Sequence, residues 1–261
     1  MSASHRILDP HRGKQVPAEL CALAVMTKAP QPGHVKTRLT PPLSPEEAAG
    51  LNTCFLRDTA AAIAETADGA RAQGLGVYTP VGAERAYAAI LPPEFALVPQ
   101  RGDAFGERLT AATEDLLSIG FASLCLIDSD SPTVPEFIFA EAVEVLSRDG
   151  DTIVLGPSDD GGYYLIGLKK AHRRLFEKIE WSSERVLQQT IAAAAELDVP
   201  VHLLPPWYDV DDRATLQRLC QELFGPNGNR NHGFVAPATR GFLSDILQRE
   251  GRARIWPNES A

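Results

Sequence analysis

The sequence predicts a single α/β domain with a mostly parallel, mixed sheet that is covered by helices on both faces. Short apolar segments alternate with helical segments along most of the chain. The apolar segments are nearly continuous, as in CALAVMT at 21–27 and FASLCLI at 121–127, which is typical of strands buried on both faces. A length of 261 residues fits one large domain or two small ones. Because no repeat or low-complexity linker divides the chain, we expect one domain.

The elements follow in chain order from apolar runs, periodicity and capping residues. We predict strands at 21–27, 76–79, 96–99, 121–127, 152–155, 163–168 and 199–204. We predict helices at 84–91, 107–117, 135–148, 184–197 and 215–224, with another near 240–249. A further helix starts after Ser44, where Pro45 suits the first turn and Glu47 completes a capping box. Two consecutive strands within 155–180 predict an antiparallel excursion in the sheet.

These elements divide the chain into three parts. Residues 1–19 form a polar leader, residues 20–224 form the domain, and residues 225–261 form a loop, GPNGNRNHG, and a C-terminal helix. The leader has no apolar core of the kind found in signal peptides, and no apolar run is long enough to span a membrane. We therefore expect a cytoplasmic protein without membrane insertion.

Composition excludes several classes of protein. The hydrophobic share of 44% is ample for a folded core. The net charge of −9 argues against a nucleic-acid-binding protein, although a local basic loop can still bind a nucleotide. The four cysteines have no CxxC spacing, so we predict reduced, buried thiols rather than a zinc site.

A basic loop follows the first predicted strand. Lys28, Lys36 and Arg38 lie in this loop around Gly33, and ligands bind at the carboxyl ends of parallel strands. Arginine forms a bidentate fork for phosphate, lysine is a mobile point charge, and glycine lets the backbone approach a ligand. The alternative is a solubilising surface loop, since the loop has neither a Walker A nor a GxGxxG pattern.

Carboxylates follow the later strands. Asp128 and Asp130 come after the strand at 121–127, and Asp209 and Asp211 come after the last strand. Magnesium or manganese takes one or two carboxylates and fills its remaining positions with water and phosphate oxygens. Asp130 with Asp209 or Asp211 would suffice. The alternative is that Asp128 and Asp130 only cap the next turn and helix.

A third candidate is the segment Asp160-Gly161-Gly162. Paired glycines let the backbone pass close to a sugar or phosphate, although an ordinary hairpin turn has the same pattern. Gly106 and Arg108, where the predicted helix at 107–117 begins, are further candidates for binding the nucleotide. We interpret Trp181 and Trp207 as packing residues, with Trp207 the one that could line the cleft.

Five motifs together resemble one bacterial family. They are KAPQPGHVKTRLTPPLS, LIDSDSPTVP, GPSDDGGYYLIGL, IEWSSERVLQQT and DVDD, between Leu23 and Leu223. The resemblance is to GT-A-type, glycosyltransferase-like proteins of uncertain function, some of them labelled radical-SAM/selenodomain-associated transferases. They belong to the nucleotide-diphospho-sugar transferase superfamily. The resemblance implies a Rossmann-like GT-A domain that binds a nucleotide and Mg²⁺ or Mn²⁺.

The resemblance also implies roles for individual residues. Lys28, Lys36 and Arg38 would hold a diphosphate or triphosphate, and Asp130 and Asp211 would be the metal-binding aspartates. The family usually has glycine at the position of Asp128, so this chain has a complete DxD pair. Asp128 would either join the metal site or hydrogen-bond the loop.

Two reactions fit these residues. In a glycosyltransferase, a nucleoside-diphosphate sugar gives its sugar to a small-molecule acceptor, with Asp160 as the general base and Lys36 and Arg38 assisting. In a nucleotidyltransferase, a phosphorylated small molecule attacks a nucleoside triphosphate, as in 2-phospholactate guanylyltransferase, whose basic loop is similar. A regulatory nucleotide-binding protein would have lost a key charged residue, and none is missing. We favour glycosyl transfer.

Overall fold

The computed structural model describes residues 5–225 and 233–255, and these residues form one mixed sheet of eight strands with helices packed against it. The strands are β1 Arg6–Ile7, β2 Cys21–Lys28, β3 Ala72–Thr79, β4 Ala96–Pro99, β5 Ser123–Ile127, β6 Ile153–Pro157, β7 Tyr163–Leu168 and β8 Val201–Leu203. The helices are α1 Pro45–Gly69, α2 Glu84–Tyr87, α3 Phe105–Ile119, α4 Glu136–Ser147, α5 Val186–Glu196, α6 Arg213–Phe224 and α7 Pro237–Glu250.

The strand order places a crevice at the middle of the sheet. The order is β1-β4-β3-β2-β5-β7-β6-β8, and the neighbours from β1 to β5 are all parallel. The chain builds outward from β2 through β3 and β4, then returns to the other side of β2 with β5. Such a reversal of strand order leaves a crevice at the carboxyl ends of the two strands, which is where α/β proteins bind ligands.

The antiparallel excursion predicted within 155–180 is confirmed. β7 runs antiparallel to both of its neighbours, β5 and β6, whereas β6 and β8 are parallel. As a result, the carboxyl ends of β2, β5 and β6 and the start of β7 all lie at the same edge of the sheet.

Helices cover both faces of the sheet, as predicted. Alternate residues of β2 point to opposite faces: Leu23 belongs to the core under α1 and α4, and Ala24 to the core under α3 and α5. A third apolar cluster joins α6 and α7 to the start of α1. The nearly continuous apolar runs of the strands are therefore explained by burial on both sides.

Two local features differ from the predicted elements, and one agrees with them. The strand predicted at 76–79 begins earlier, at Ala72, where it pairs with Cys21 of β2. Gly74 lies in this added part and admits the ring of Phe95, which a side chain at position 74 would meet at 2.2 Å. The helix predicted at 84–91 ends at Tyr87, and Ile90 and Leu91 both donate to the Tyr87 carbonyl in turns. The capping box of α1 is present.

The described residues near the two ends of the chain contact the rest of the domain. Within the segment predicted as a leader, β1 pairs with β4 at one edge of the sheet. Helix α7 packs on α1, where the buried carboxylate of Asp58 accepts hydrogen bonds from the backbone of Ala238 and Thr239. Most of the predicted loop GPNGNRNHG lies outside the described residues.

Two further predictions concern the chain as a whole. All four cysteines are free and buried, as the sequence predicted. In the ranges 5–225 and 233–255, we find no helix that has both the length and the apolar character to cross a membrane.

Candidate functional site

A cleft lies at the carboxyl ends of β2 and β5, and it has two parts of opposite character. The basic cavity has a volume of about 380 Å³ and is lined by Lys28, His34, Val35, Lys36, Thr37, Arg38, Asn52 and Asp211. The aromatic cavity, about 270 Å³, takes its polar and ring-bearing lining from Phe105, Asp128, Ser158, Asp160, Tyr163, Tyr164, Trp181 and Asp209. Ser129, Asp130 and Ser182 line both cavities, so the two form one continuous cleft.

Lys36 lies at the centre of the basic cavity, between two carboxylates from distant parts of the chain. Its Nζ is 2.9 Å from Oδ1 of Asp130 and 2.8 Å from Oδ1 of Asp211. The same Nζ donates to the carbonyl of Val210 at 2.8 Å. An ammonium group has three N–H donors, so these three protein oxygens satisfy Lys36 completely.

The backbone explains why these groups meet. The amide of Val210 donates to the carbonyl of Asp130 at 2.9 Å, which joins the segment after β8 to the segment after β5. The side chain of Thr215 in α6 accepts from the backbone amide of Asp211. Lys36 itself has a left-handed backbone, with φ of 48°, which aims its side chain at the gap between the two aspartates. Such a conformation is uncommon for a residue with a side chain and is found often at functional sites.

Burial and charge have opposite effects on Lys36. Its side chain is only 4% exposed, and burial by itself would lower the pKa of the ammonium group. The negative charges of Asp130 and Asp211 outweigh this effect and hold the pKa above its usual value. Lys36 is therefore a charged, buried ion-pair partner.

The other two cations of the basic cavity are open to solvent. Arg38 is 73% exposed and its Nη1 is 4.0 Å from Oδ2 of Asp211. Lys28 is exposed and donates to the carbonyl of His34. Both have donors to spare for a phosphate, in contrast with Lys36.

Aromatic rings form one wall of the aromatic cavity. The rings of Phe105 and Trp181 meet edge to face, with centroids 4.9 Å apart and planes at 83°. Gly106 makes this close packing possible, because a side chain there would meet the Trp181 indole nitrogen at 2.8 Å. Lysine, arginine and histidine are all absent from the described lining of this cavity.

Carboxylates form the other wall. Asp128 accepts from the hydroxyl of Ser131 at 2.9 Å, and burial followed by the charge of Asp130 raises its pKa well above the usual range. Burial and the charge of Asp160 raise the pKa of Asp209 to about 6. Asp160 is exposed, and its Oδ1 accepts from the amide of Gly162 at 2.8 Å. The cavity thus holds three carboxyl groups, and no cation in its described lining offsets the charge of those that are ionised.

The donor set is compatible with a divalent cation held by a pair of aspartates. No group of three or more histidine, cysteine, aspartate or glutamate side chains suited to a metal occurs among the described residues. The carboxylates of Asp130 and Asp211 converge, because both contact the Nζ atom of Lys36. Asp128 instead accepts a hydrogen bond from Ser131 in the loop. Two converging carboxylates are sufficient for magnesium when phosphate and water supply the remaining oxygens.

Four predicted nucleotide-binding residues line neither cavity, and packing or backbone geometry accounts for each. Gly33 has φ of 74° in an exposed turn. Gly106 is buried against Phe176 and Trp181, and the guanidinium of Arg108 lies over the Phe105 ring. Gly161 has φ of 87°, and a side chain there would meet the Glu184 carbonyl oxygen at 2.2 Å. The other predicted residues are in the cleft: Lys28, Lys36, Arg38, Asp128, Asp130, Asp160, Gly162 and Asp211.

Sequence reasoning missed the aromatic wall. Trp181 lines the aromatic cavity, whereas Trp207 lines neither cavity and donates its indole N–H to Thr133. Ser182, which lines both cavities, has φ of 63°. The sequence feature that could have indicated this wall is the segment EWSS, which is part of one of the family motifs. Its residues have no pattern of charges that predicts a binding site.

Comparison with known proteins gives matches over most of the chain. A putative nucleotide-diphospho-sugar transferase from Desulfovibrio desulfuricans G20 is 27% identical over 91% of this chain and 97% of its own, with a TM-score of 0.76. The bacterial family described as "Uncharacterized protein conserved in bacteria (DUF2064)" matches residues 62–183. These two findings confirm the predicted fold class and the resemblance to a GT-A-like family of uncertain function.

More distant structures are also similar. A cytidylyltransferase from Leptospira borgpetersenii is 9% identical over 93% of this chain and 99% of its own, with a TM-score of 0.48. A 4-diphosphocytidyl-2C-methyl-D-erythritol synthase from Anaerococcus prevotii is 11% identical over 76% and 94%, with a TM-score of 0.47. No curated protein matches the sequence.

Proposed function

We propose that this protein is a divalent-metal-dependent glycosyltransferase that uses a nucleoside-diphosphate sugar. The observation that carries the proposal is the division of one cleft into a basic cavity and an aromatic, acidic cavity that meet at Asp130. A nucleoside-diphosphate sugar has the same division, with two phosphates beside an uncharged sugar. The Desulfovibrio protein, similar over nearly the whole chain, is described as a putative nucleotide-diphospho-sugar transferase.

The diphosphate would bind in the basic cavity. Lys28 and Arg38 are exposed and have free donors, and an arginine fork matches two phosphate oxygens. Lys36 would reach a phosphate only by giving up one of its three protein acceptors.

The sugar would bind in the aromatic cavity. A phosphate there would face the carboxyl groups of Asp128, Asp160 and Asp209 without a lysine or arginine in the described lining, and an ionised carboxylate repels a phosphate. Sugar hydroxyls, by contrast, donate hydrogen bonds to carboxylates. The apolar face of a sugar ring packs well on aromatic rings such as those of Phe105 and Trp181.

A magnesium or manganese ion, when bound, would be held by Asp130 and Asp211 and would offset the negative charge of the diphosphate. In the reaction the acceptor hydroxyl oxygen forms a bond to the anomeric carbon. The bond from that carbon to the diphosphate oxygen breaks, and the nucleoside diphosphate leaves with the electron pair. Lys28 and Arg38 stabilise the charge that develops on it.

Asp160 is our candidate for the base that takes the acceptor proton. The amide of Gly162 holds Oδ1, which orients the carboxylate beside the aromatic cavity. Its exposure leaves space for an acceptor to approach from solvent. An inverting transfer would use such a carboxylate as its general base.

Nucleotidyl transfer is the second candidate. Asp130 and Asp211 come from separate segments and meet at one point in the basic cavity. This matches the metal pair that the resemblance implies for nucleotidyltransferases. In that reaction a phosphate of the acceptor attacks the α-phosphate of a nucleoside triphosphate, and pyrophosphate leaves. The attacking phosphate is already ionised, so Asp160 would have no proton to take.

A thermal-shift panel distinguishes the two candidates. Nucleoside-diphosphate sugars and nucleoside triphosphates are each added with Mg²⁺, Mn²⁺ or EDTA. A ligand at about 100 times its Kd adds about 2.7 kcal/mol of stability, which for a chain of this size raises Tm by several degrees. We expect the largest metal-dependent shift with a diphosphate sugar. A larger shift with a triphosphate would favour nucleotidyl transfer, and no shift with any nucleotide would contradict both.

A further inference from the structure

The three contacts of Lys36 bear on how the cleft takes up a cation. Its Nζ lies between Asp130 and Asp211, within 2.9 Å of an oxygen of each. These are the two carboxylates that converge in the basic cavity, so the ammonium group occupies the place that a cation shared by both would take. The third contact, to the Val210 carbonyl, fixes Lys36 in that place.

Other features show that this arrangement is built into the fold. The side chain of Lys36 is almost fully buried, and its Nζ also lies 5.5 Å from the centre of the Phe55 ring. The Val210 carbonyl that accepts from Lys36 belongs to the residue whose amide pairs with Asp130. The contact therefore closes a ring of interactions among the basic loop, the end of β5 and the segment before α6.

We propose that Lys36 is an internal cation that keeps divalent ions off the Asp130–Asp211 pair while no nucleotide is bound. The two cations compete because they use the same carboxylate oxygens and repel each other at short range. A diphosphate in the basic cavity supplies new acceptors for Lys36. Metal and nucleotide then enter together, so that the protein without nucleotide does not hold a metal at this pair.

This inference rests on one part of the proposed function, namely that a divalent ion binds between Asp130 and Asp211. Its test needs no nucleotide and no turnover. The binding of Mn²⁺ to the full chain is measured from the electron paramagnetic resonance signal of free Mn²⁺, for the wild type and for Lys36→Met. We expect the Lys36→Met variant to bind one Mn²⁺ at least about tenfold more tightly than the wild type, a difference of about 1.4 kcal/mol.

A matched control removes the same charge from a neighbouring position. Arg38→Gln also makes the net charge more negative near Asp211, but Arg38 is exposed and 4.0 Å from that carboxylate. We expect it to change the affinity for Mn²⁺ by less than about threefold, since exposed charges are screened by solvent. Equal gains in Arg38→Gln and Lys36→Met would mean that general charge, not occupancy of the pair, governs binding.

A double variant identifies the site of the gain. Adding Asp130→Asn to Lys36→Met removes one of the two carboxylates, so the gained Mn²⁺ binding is expected to disappear. Persistence of the gain would place the ion elsewhere and overturn the proposal.

Loss of Lys36 also leaves two carboxylates facing each other, which could prevent folding. Lys36→Gln is the second variant, because its amide retains N–H donors for Val210 and one aspartate while removing the charge. In the folded variant, Mn²⁺ alone is expected to raise Tm, whereas it leaves the wild type unchanged. The proposal is contradicted if the wild type binds Mn²⁺ within about twofold of both Lys36 variants. The outcome of the thermal-shift panel with nucleotides does not depend on this result. A failure of the proposed function can therefore be distinguished from a failure of the inference on Lys36.

Discussion

The two cavities of the cleft differ in how their charges are balanced. In the basic cavity, buried Lys36 is matched by Asp130 and Asp211, and Lys28 and Arg38 remain available to an anion. In the aromatic cavity, Asp128, Asp160 and Asp209 have no cationic partner in the described lining. We therefore expect phosphates to bind in the basic cavity and to be excluded from the aromatic cavity beside it.

Under the proposed function, a single ligand spans the cleft. A ligand that is anionic throughout would bind only in the basic cavity, and a neutral ligand would gain nothing from Lys28 and Arg38. We therefore expect the cleft to favour compounds in which a diphosphate is joined to an uncharged ring. Variants of residues in the basic cavity and in the aromatic cavity test the two halves of the cleft separately.

The largest effect is expected where the cavities meet. Asp130→Asn keeps the shape of the side chain but removes the charge that is shared by Lys36 and the proposed metal. We expect metal-dependent turnover of the donor identified by thermal shift to fall by about 100-fold or more. The rate at which nucleoside diphosphate is released from the donor, by hydrolysis or by transfer, measures this turnover.

Asp159→Asn is the matched control for this variant. Asp159 is one residue before Asp160, is exposed, and pairs with Arg218 outside both cavities. Its loss is expected to leave turnover within about twofold of the wild type, as for most surface ion pairs. Equal losses in Asp130→Asn and Asp159→Asn would contradict a specific role for Asp130.

The aromatic cavity is tested by Trp181→Ala, which removes half of the aromatic pair with Phe105. We expect the affinity for a nucleoside-diphosphate sugar to fall about tenfold, while the affinity for the nucleoside diphosphate alone changes little. Calorimetric titration with the two ligands measures both affinities.

Phe137→Ala is the control, because it removes an exposed aromatic ring on α4, and it should change neither affinity. Equal losses for the two ligands in Trp181→Ala would show that the Trp181 ring does not contact the sugar.

The basic cavity is tested by Arg38→Gln, with the opposite expectation. Arg38 is exposed, so we expect no measurable change in Tm and a loss of about fivefold in affinity for nucleoside diphosphate and diphosphate sugar alike. The control is Arg71→Gln, because Arg71 is equally exposed but pairs with Glu19 away from the cleft. If Arg38→Gln binds both ligands as well as the wild type does, the phosphates lie elsewhere.

The smallest effect concerns stability and pH. The pKa of Asp209 is raised to about 6 in the folded protein, above its usual value, so its ionised form destabilises the fold. The contribution of Asp209 to the free energy of unfolding should therefore fall as pH rises from about 4 to about 6. Asp209→Asn should be more stable than the wild type by about 1 kcal/mol above pH 6, after allowance for solvent screening, and equal to it below pH 4.

Urea unfolding at pH 4 and pH 7 measures this difference. Asp159→Asn again serves as the control, since its partner Arg218 is exposed and no burial opposes its charge. A constant difference between Asp209→Asn and the wild type at both pH values would show that Asp209 does not change its ionisation in this range.

The sequence predicted the polar half of the site because strand ends can be recognised locally. Lys36, Asp130 and Asp160 each lie in the segment that follows an apolar strand, and parallel strands bring such segments to one edge. The burial of Lys36 could not be predicted in this way. It depends on Val210, 174 residues away, whose position is set by pairing with Asp130.

The aromatic wall was missed for a related reason. Trp181 lies in a loop whose path is fixed by its packing against Phe105 and Gly106 at the start of α3. Gly106 was predicted to bind the nucleotide, but its small size serves this packing. Contacts between side chains from different elements decide such details, and a residue pattern along the chain does not contain them.

We propose that one ligand spans both cavities with a metal at their junction. A crystal structure with Mn²⁺ and the diphosphate sugar that gives the largest thermal shift tests this arrangement, because the anomalous signal locates manganese. We expect a manganese peak between Asp130 and Asp211, phosphates beside Arg38 and the sugar ring against Trp181. A manganese peak away from this pair, or a sugar outside the aromatic cavity, would contradict it.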